Sequence, residues 1–90
     1  MTQEQIEKAI LKNSGMDQVF QIRFKTRNSI IGLFIKTSDY LELSRKNFWR
    51  IVSEKHIGEY RKSRDLSLTR IFNGVEFIKL EATAGTAPLT

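Results

Sequence analysis

The sequence predicts a mainly β domain that opens with an α-helix and then curls into a small, strongly bent antiparallel barrel of five or six strands. Three observations predict it. Apolar residues recur first at helical spacing near the N-terminus, and from Phe20 onward at every second position. Short apolar runs separated by short polar turns then follow one another as far as Leu80. Gly32 interrupts the most apolar of these runs, a place where a strand can bend and let a sheet curl. Ninety residues supply one hydrophobic core and are too few for two. Residues 1–81 therefore read as one domain, with the helix over about 2–13 and the barrel over about 18–80.

The helix is announced by Thr2 and Gln5, which stand at the spacing of a capping box. Ile6, Ala9 and Ile10 form its apolar stripe, and Glu4 precedes Lys8 by four residues in the favourable order. Asn13-Ser14-Gly15 reads as its stop, since glycine accepts the left-handed conformation that ends helices. The stripe is narrow and should lie on one face of a sheet. In the first strand Phe20, Ile22 and Phe24 alternate with Gln21, Arg23 and Lys25, giving a buried face and a basic one. Thr26 to Ser29 turns the chain into a second strand, Ile30 to Lys36, which is apolar on both faces.

Thr37-Ser38-Asp39 turns it again, and Tyr40 to Ser44 reads as a third strand with Leu41 and Leu43 on one side. Arg45-Lys46-Asn47 leads into a fourth, Phe48 to Ser53, whose Phe48 and Trp49 are expected to pack in the core. Glu54-Lys55-His56 turns into a fifth strand, Ile57 to Arg61. Leu66 to Gly74 supports two readings. Asn73-Gly74 between apolar residues would pair Thr69–Phe72 with Val75–Leu80 as a hairpin. Alternatively Leu68, Ile71 and Phe72 have helical spacing, which gives a helical turn followed by a strand from Val75 to Leu80. The second reading is adopted here. Residues 82–90 are small, polar and patternless, and read as a disordered tail.

The absence of cysteine excludes disulfides and thiolate metal sites. One histidine, His56, cannot assemble a common zinc site, and no glycine-rich phosphate loop is present. Asp39 and Glu42 are better explained by turn chemistry than as paired catalytic carboxylates. The sequence therefore reads as a non-enzyme with no catalytic residues, metal or cofactor. The longest nearly apolar run, Ile30 to Ile35, is far too short to span a membrane, and no secretory pattern opens the chain. A cytoplasmic protein without a membrane partner is the expectation.

Charge is the one functional signal in the composition. The formal net charge is +5, yet between Gln18 and Arg70 twelve basic residues stand against five acidic ones. A basic body suits a polyanion. Its cations fall into three groups: Arg23, Lys25 and Arg27; Arg45, Lys46 and Arg50; and Arg61, Lys62 and Arg64. Strand ends converge on one rim in a compact barrel, and such a rim would hold phosphates without reading sequence.

The helix, the strand glycine and a Lys-His turn before the last strand together resemble the Sm-like family, particularly its bacterial Hfq-type RNA chaperones. Gly32 and Ile35, Asp39 with Tyr40, Leu43, and Lys55-His56-Ile57 carry the resemblance, which covers roughly Gln5 to Arg61. It implies a bent five-stranded barrel that assembles into rings, with an RNA pocket lined by Lys55 and His56. The sequence departs from the family in the longer Gly32–Asp39 interval, in Thr26-Arg27-Asn28-Ser29 where a glycine-containing turn is usual, and in the added segment Leu66–Leu80.

RNA or single-stranded nucleic-acid binding by a homo-oligomer is thus the functional expectation. Lys55, His56, Arg61, Lys62 and Arg64 would contact phosphate, and Tyr40 would offer a base a stacking surface. The alternative is a protein-interaction or oligomerisation module that uses the Phe48–Val52 strand or an open sheet edge.

Overall fold

The computed structural model describes residues 1–12 and 19–83. In chain order these are α1 (Gln3–Lys12), β1 (Val19–Phe24), β2 (Ile30–Phe34), α2 (Tyr40–Arg45), β3 (Phe48–Ser53), α3 (Ile57–Ser63), β4 (Thr69–Asn73) and β5 (Phe77–Ala82). Single 3₁₀ turns at Glu54–His56, Leu66–Leu68 and Gly74–Glu76 join the later elements. The strands form one antiparallel sheet in the order β4-β3-β2-β1-β5. The Asn13-Ser14-Gly15 stop and the tail from residue 84 lie outside the described residues.

The capping box forms as the spacing implies. The Thr2 amide donates to Gln5 Oε1 at 2.9 Å, and the Gln5 amide donates to Thr2 Oγ1 at 3.2 Å. One turn apart, Ile6 and Ile10 are fully buried, and burying such a side chain stabilises the fold by about 1.5–3 kcal/mol. They join Phe20, Ile22 and Phe24 of β1, Phe34, Trp49, Ile51 and Phe77 in the main core. A smaller cluster on the opposite face of the sheet contains Leu33, Ile35, Val52 and Tyr60. The two-faced apolar character of β2 has its explanation here: Phe34 enters one cluster, Leu33 and Ile35 the other. Its middle residue, Gly32, is packed so closely that an added Cβ would meet Ile51 Cγ2 at 2.6 Å and the Val52 carbonyl oxygen at 3.1 Å.

Two segments read as strands are helices. Tyr40–Arg45 places Tyr40, Leu43 and Ser44 on its inward side, the i, i+3, i+4 pattern, and leaves Leu41 67% exposed. The Leu41/Leu43 alternation was a coincidence of two apolar residues on a helical surface. Ile57–Ser63 likewise turns Ile57 and Tyr60, three residues apart, onto the smaller cluster, with Glu59 and Arg61 in solvent. Seven residues containing two apolar side chains at helical spacing cannot fill a strand's buried face. This helix stops at Arg64, whose φ is 58° and whose amide donates to the Tyr60 carbonyl at 2.7 Å.

The Leu66–Leu80 segment follows neither reading completely. A 3₁₀ turn does occupy Leu66–Leu68, but it is followed by β4, and the later strand begins at Phe77 rather than Val75. Nor do the two strands beside Asn73-Gly74 pair with one another. β4 pairs with β3 and β5 pairs with β1, so these consecutive strands form the two opposite edges of the sheet.

That arrangement forces the sheet to curl. In a flat sheet the edges of five strands lie about 19 Å apart, at roughly 4.8 Å per spacing. The link from Asn73 to Phe77 spans at most about 14 Å, even fully extended. The side chains record the same bend. Phe24 of β1 and Phe72 of β4, three strand positions apart, bring their ring centroids within 5.6 Å. The sheet is nevertheless open: no pairing joins β4 to β5 among the described residues, and the five strands do not form a closed ring.

Asn47 ties the bend together. Its left-handed backbone (φ 63°) turns α2 into β3, and its carbonyl accepts the Gly74 amide at 2.7 Å. Its Oδ1 accepts Trp49 Nε1–H at 2.8 Å, while its Nδ2 donates to the Met1 carbonyl at 2.9 Å. One residue thus links the helix entry, the core tryptophan and the β4–β5 turn.

The close approach at Gly32 gives a direct test. Gly32→Val overpacks the β2–β3 contact and is expected to cost about 1–3 kcal/mol. Urea unfolding should show a lowered midpoint; an unchanged midpoint would contradict this packing.

Candidate functional site

Two clefts each gather several basic side chains. The first, of about 420 Å³, opens at one end of the bent sheet. Arg27 reaches it from the β1–β2 turn, Lys55 and His56 from the 3₁₀ turn after β3, and Arg70 from β4, with Ser53 and Ser67 among its hydroxyls. Arg70 stands opposite Ile51 in the β3–β4 register, so both share a face, and Phe72 and Ile30 add apolar wall. The guanidinium of Arg27 lies 5.1 Å from the Phe24 ring centroid and 5.7 Å from that of Phe72. Resting on two rings fixes its position without neutralising it.

The second cleft, of about 350 Å³, lies between the end of β2 and α3. Lys36, Arg61 and Arg64 surround it, over a wall of Leu33, Ile35 and buried Tyr60. The Arg64 guanidinium sits 5.8 Å from the Tyr60 ring centroid. Among the described residues, no aspartate or glutamate lines either cleft.

Ion pairing sorts the basic residues. Among the described residues, carboxylates pair with Arg23, Lys79 and Arg50, and with none of the cations around the clefts. Arg50 is a structural cation. It donates to Asp39 Oδ2 at 2.8 Å and to Thr69 Oγ1 at 3.1 Å, joining the chain before α2 to the start of β4. The Thr37 hydroxyl and then Arg50 hold the Asp39 carboxyl below the usual carboxylate range. Asp39 therefore serves as an acceptor for two donors, in keeping with its turn position. Asp65, similarly lowered, accepts the Ser67 amide at 2.9 Å and caps the following 3₁₀ turn.

The six residues singled out in the sequence are thus distributed over four places. Lys55 and His56 share the first cleft, Arg61 and Arg64 the second, and Lys62 is exposed on α3 outside both linings. Tyr40 is half-buried, with its ring edge-on to Trp49 at 6.0 Å and the Lys36 ammonium 5.5 Å from its centroid. Burial raises its hydroxyl above the usual phenol value. Its surroundings are those of a packing residue.

Sequence reasoning did not assign Arg27, Arg70 or Lys36 to a site. Arg27 carried a signal, since it sits in a turn beside two other cations. Arg70 carried none while the direction of its strand was unsettled. Among the described residues, no three of His, Cys, Asp and Glu gather as a metal site, and no helix is long and apolar enough to cross a membrane.

The chemical capability of this arrangement is anion binding. Cations on separate elements face shared concave spaces, and a phosphate needs charge and N–H donors from more than one direction. No protein-family model, curated protein or solved structure matches this chain significantly.

Proposed function

We propose that this protein binds RNA or single-stranded nucleic acid through its phosphates, with the cleft at Lys55 and His56 as the principal contact. One observation carries the reading. Arg27, Lys55, His56 and Arg70 come from three different parts of the chain and meet at one cleft in which, among the described residues, there is no carboxylate. The unpaired cations among them, Arg27, Lys55 and Arg70, attract a polyanion and attach to its backbone without reading base sequence. An Sm-like or related SH3-like kinship extends the same reading. It is supported by the N-terminal helix, the five bent antiparallel strands, Gly32 in the second strand and Lys55-His56 at a turn. The helix after that turn, where the resemblance implies a strand, is this chain's own departure.

Fluorescence anisotropy with short A-rich and U-rich RNAs tests the reading. Each phosphate neutralised on a single strand contributes about −0.7 to the slope of log K against log salt. Three contacts in this cleft alone contribute a slope of about −2, or roughly a 20-fold loss of affinity between about 50 and 200 mM salt. The Lys55→Gln/Arg70→Gln double variant should make the slope less negative by about 1.4. No binding at low salt, or binding indifferent to salt, removes the proposal.

A second reading, self-association through the sheet edges, is favoured by a separate observation. Ile71 on β4 and Ile78 on β5 are 49% and 57% exposed, on the two strands with unpaired edges. An edge that presents free amides and carbonyls beside apolar side chains is a template for another strand. Light scattering should report an oligomer that Ile71→Lys/Ile78→Lys converts to monomer. A wild-type monomer at every concentration would count against it.

A further inference from the structure

The second cleft, like the first, is lined by cations. Lys36, Arg61 and Arg64 arrive from the end of β2 and from two turns of α3, and none has a carboxylate partner among the described residues. Of the acidic residues closest in sequence, Asp65 beside Arg64 has its carboxylate engaged by the Ser67 amide, Asp39 is paired with Arg50, and Glu59 of α3 is exposed and lines neither cleft. Behind the cations stand Leu33, Ile35 and Tyr60, each no more than 7% exposed. A wall of low polarisability strengthens the field that three cations project into the cleft. Arg64 is held at the helix end by its left-handed backbone and by the Tyr60 ring, so one guanidinium of the three is pre-positioned.

Among the described residues the two clefts share no lining residue, yet a 3₁₀ turn followed directly by α3 connects them. Lys55 and His56 close the 3₁₀ turn that runs directly into α3, which carries Arg61. At about 1.5 Å per residue, nine residues from Lys55 to Arg64 cover about 14 Å. A few nucleotides of single strand bridge that interval, within the site sizes of roughly 4–16 nucleotides known for small single-strand-binding domains. A strand that left the first cleft along α3 would reach Arg61 and then Arg64.

We propose that the cleft of Lys36, Arg61 and Arg64 is a second phosphate-binding site, occupied by the same nucleic-acid strand that the first cleft holds. The proposal rests on the nucleic-acid reading above. It divides the cations into two stations rather than one rim.

Two measurements on the full chain test it and keep its failure distinct from that of the first reading. With a 12-nucleotide RNA, Arg61→Gln/Arg64→Gln should make the salt slope less negative by about 1.4. An unchanged slope in this variant, while Lys55→Gln/Arg70→Gln still alters it, overturns the second site and leaves the first standing. The other measurement is an amide NMR titration with pyrophosphate. It should shift the signals of Lys36 and Arg61–Arg64 saturably in the wild type, and the Arg61→Gln/Arg64→Gln protein should lose those shifts while keeping the ones at Lys55 and His56. Absence of saturable shifts at residues 61–64 overturns the site. If RNA fails to bind but these shifts persist, the nucleic-acid reading falls and the shared strand with it, and only an anion site at residues 61–64 is upheld.

Discussion

The three residues between β4 and β5 hold this molecule in shape. Because these strands are the two edges of the sheet, so short a link can be accommodated only by bending everything between them. Gly74 makes the link possible. It is buried beneath Ile6 of α1, its amide is bound by the Asn47 carbonyl, and a Cβ there would stand 2.6 Å from Ile6 Cδ1. Asn47 is in turn committed by its backbone conformation and by the Trp49 indole. The bend, the helix docking and the position of the largest core side chain are therefore one coupled arrangement.

The distribution of charge follows from that bend. Arg27 belongs to the β1–β2 turn and Arg70 to β4, which a flat sheet would hold well apart. The curl that stacks Phe24 against Phe72 carries the two arginines to one cleft, with Arg27 resting on both rings. On the other face, α3 covers Val52 and Leu33 through Tyr60 and Ile57, and so brings Arg61 and Arg64 over the end of β2. Apolar packing positions the cations in both cases. Arg50 shows the contrast: paired with Asp39 and bonded to Thr69, it stabilises the junction of two elements and is lost to any ligand.

Much of this was legible in the residues. The capping box, the alternation of β1 and the burial of Trp49 each depend on local spacing, and each is present. Gly32 reads as a bend in the sequence; it is instead a close contact between β2 and β3 in regular register, and the register shift falls at Arg23/Phe24 between β1 and β5. The two short helices were not legible. Six or seven residues with two or three apolar positions satisfy period 2 nearly as well as period 3.6, and only the surface they cover decides between them. The Asn73-Gly74 turn failed for a different reason. Its local chemistry suits a hairpin, while the partners of the flanking strands are fixed by the curvature of the whole sheet. For the site, residue type and clustering exposed Lys55, His56, Arg61 and Arg64 as candidates. Their division into two clefts, and the recruitment of Arg27 and Arg70, are long-range consequences of the same curvature. Tyr40 was legible as an aromatic, but its half-buried place against Trp49 was not.

The curl itself is the claim on which the clefts depend, and a nuclear Overhauser experiment on the aromatic protons measures it directly. With the Phe24 and Phe72 ring centroids 5.6 Å apart, their protons should show a clear cross-peak, as should Phe24 with Phe77, whose centroids lie 5.4 Å apart. A Phe24–Phe77 cross-peak without one between Phe24 and Phe72 would mean that β1 and β5 are paired but β4 stands away from them. The sheet would then be flat, and Arg27 and Arg70 would have no common cleft.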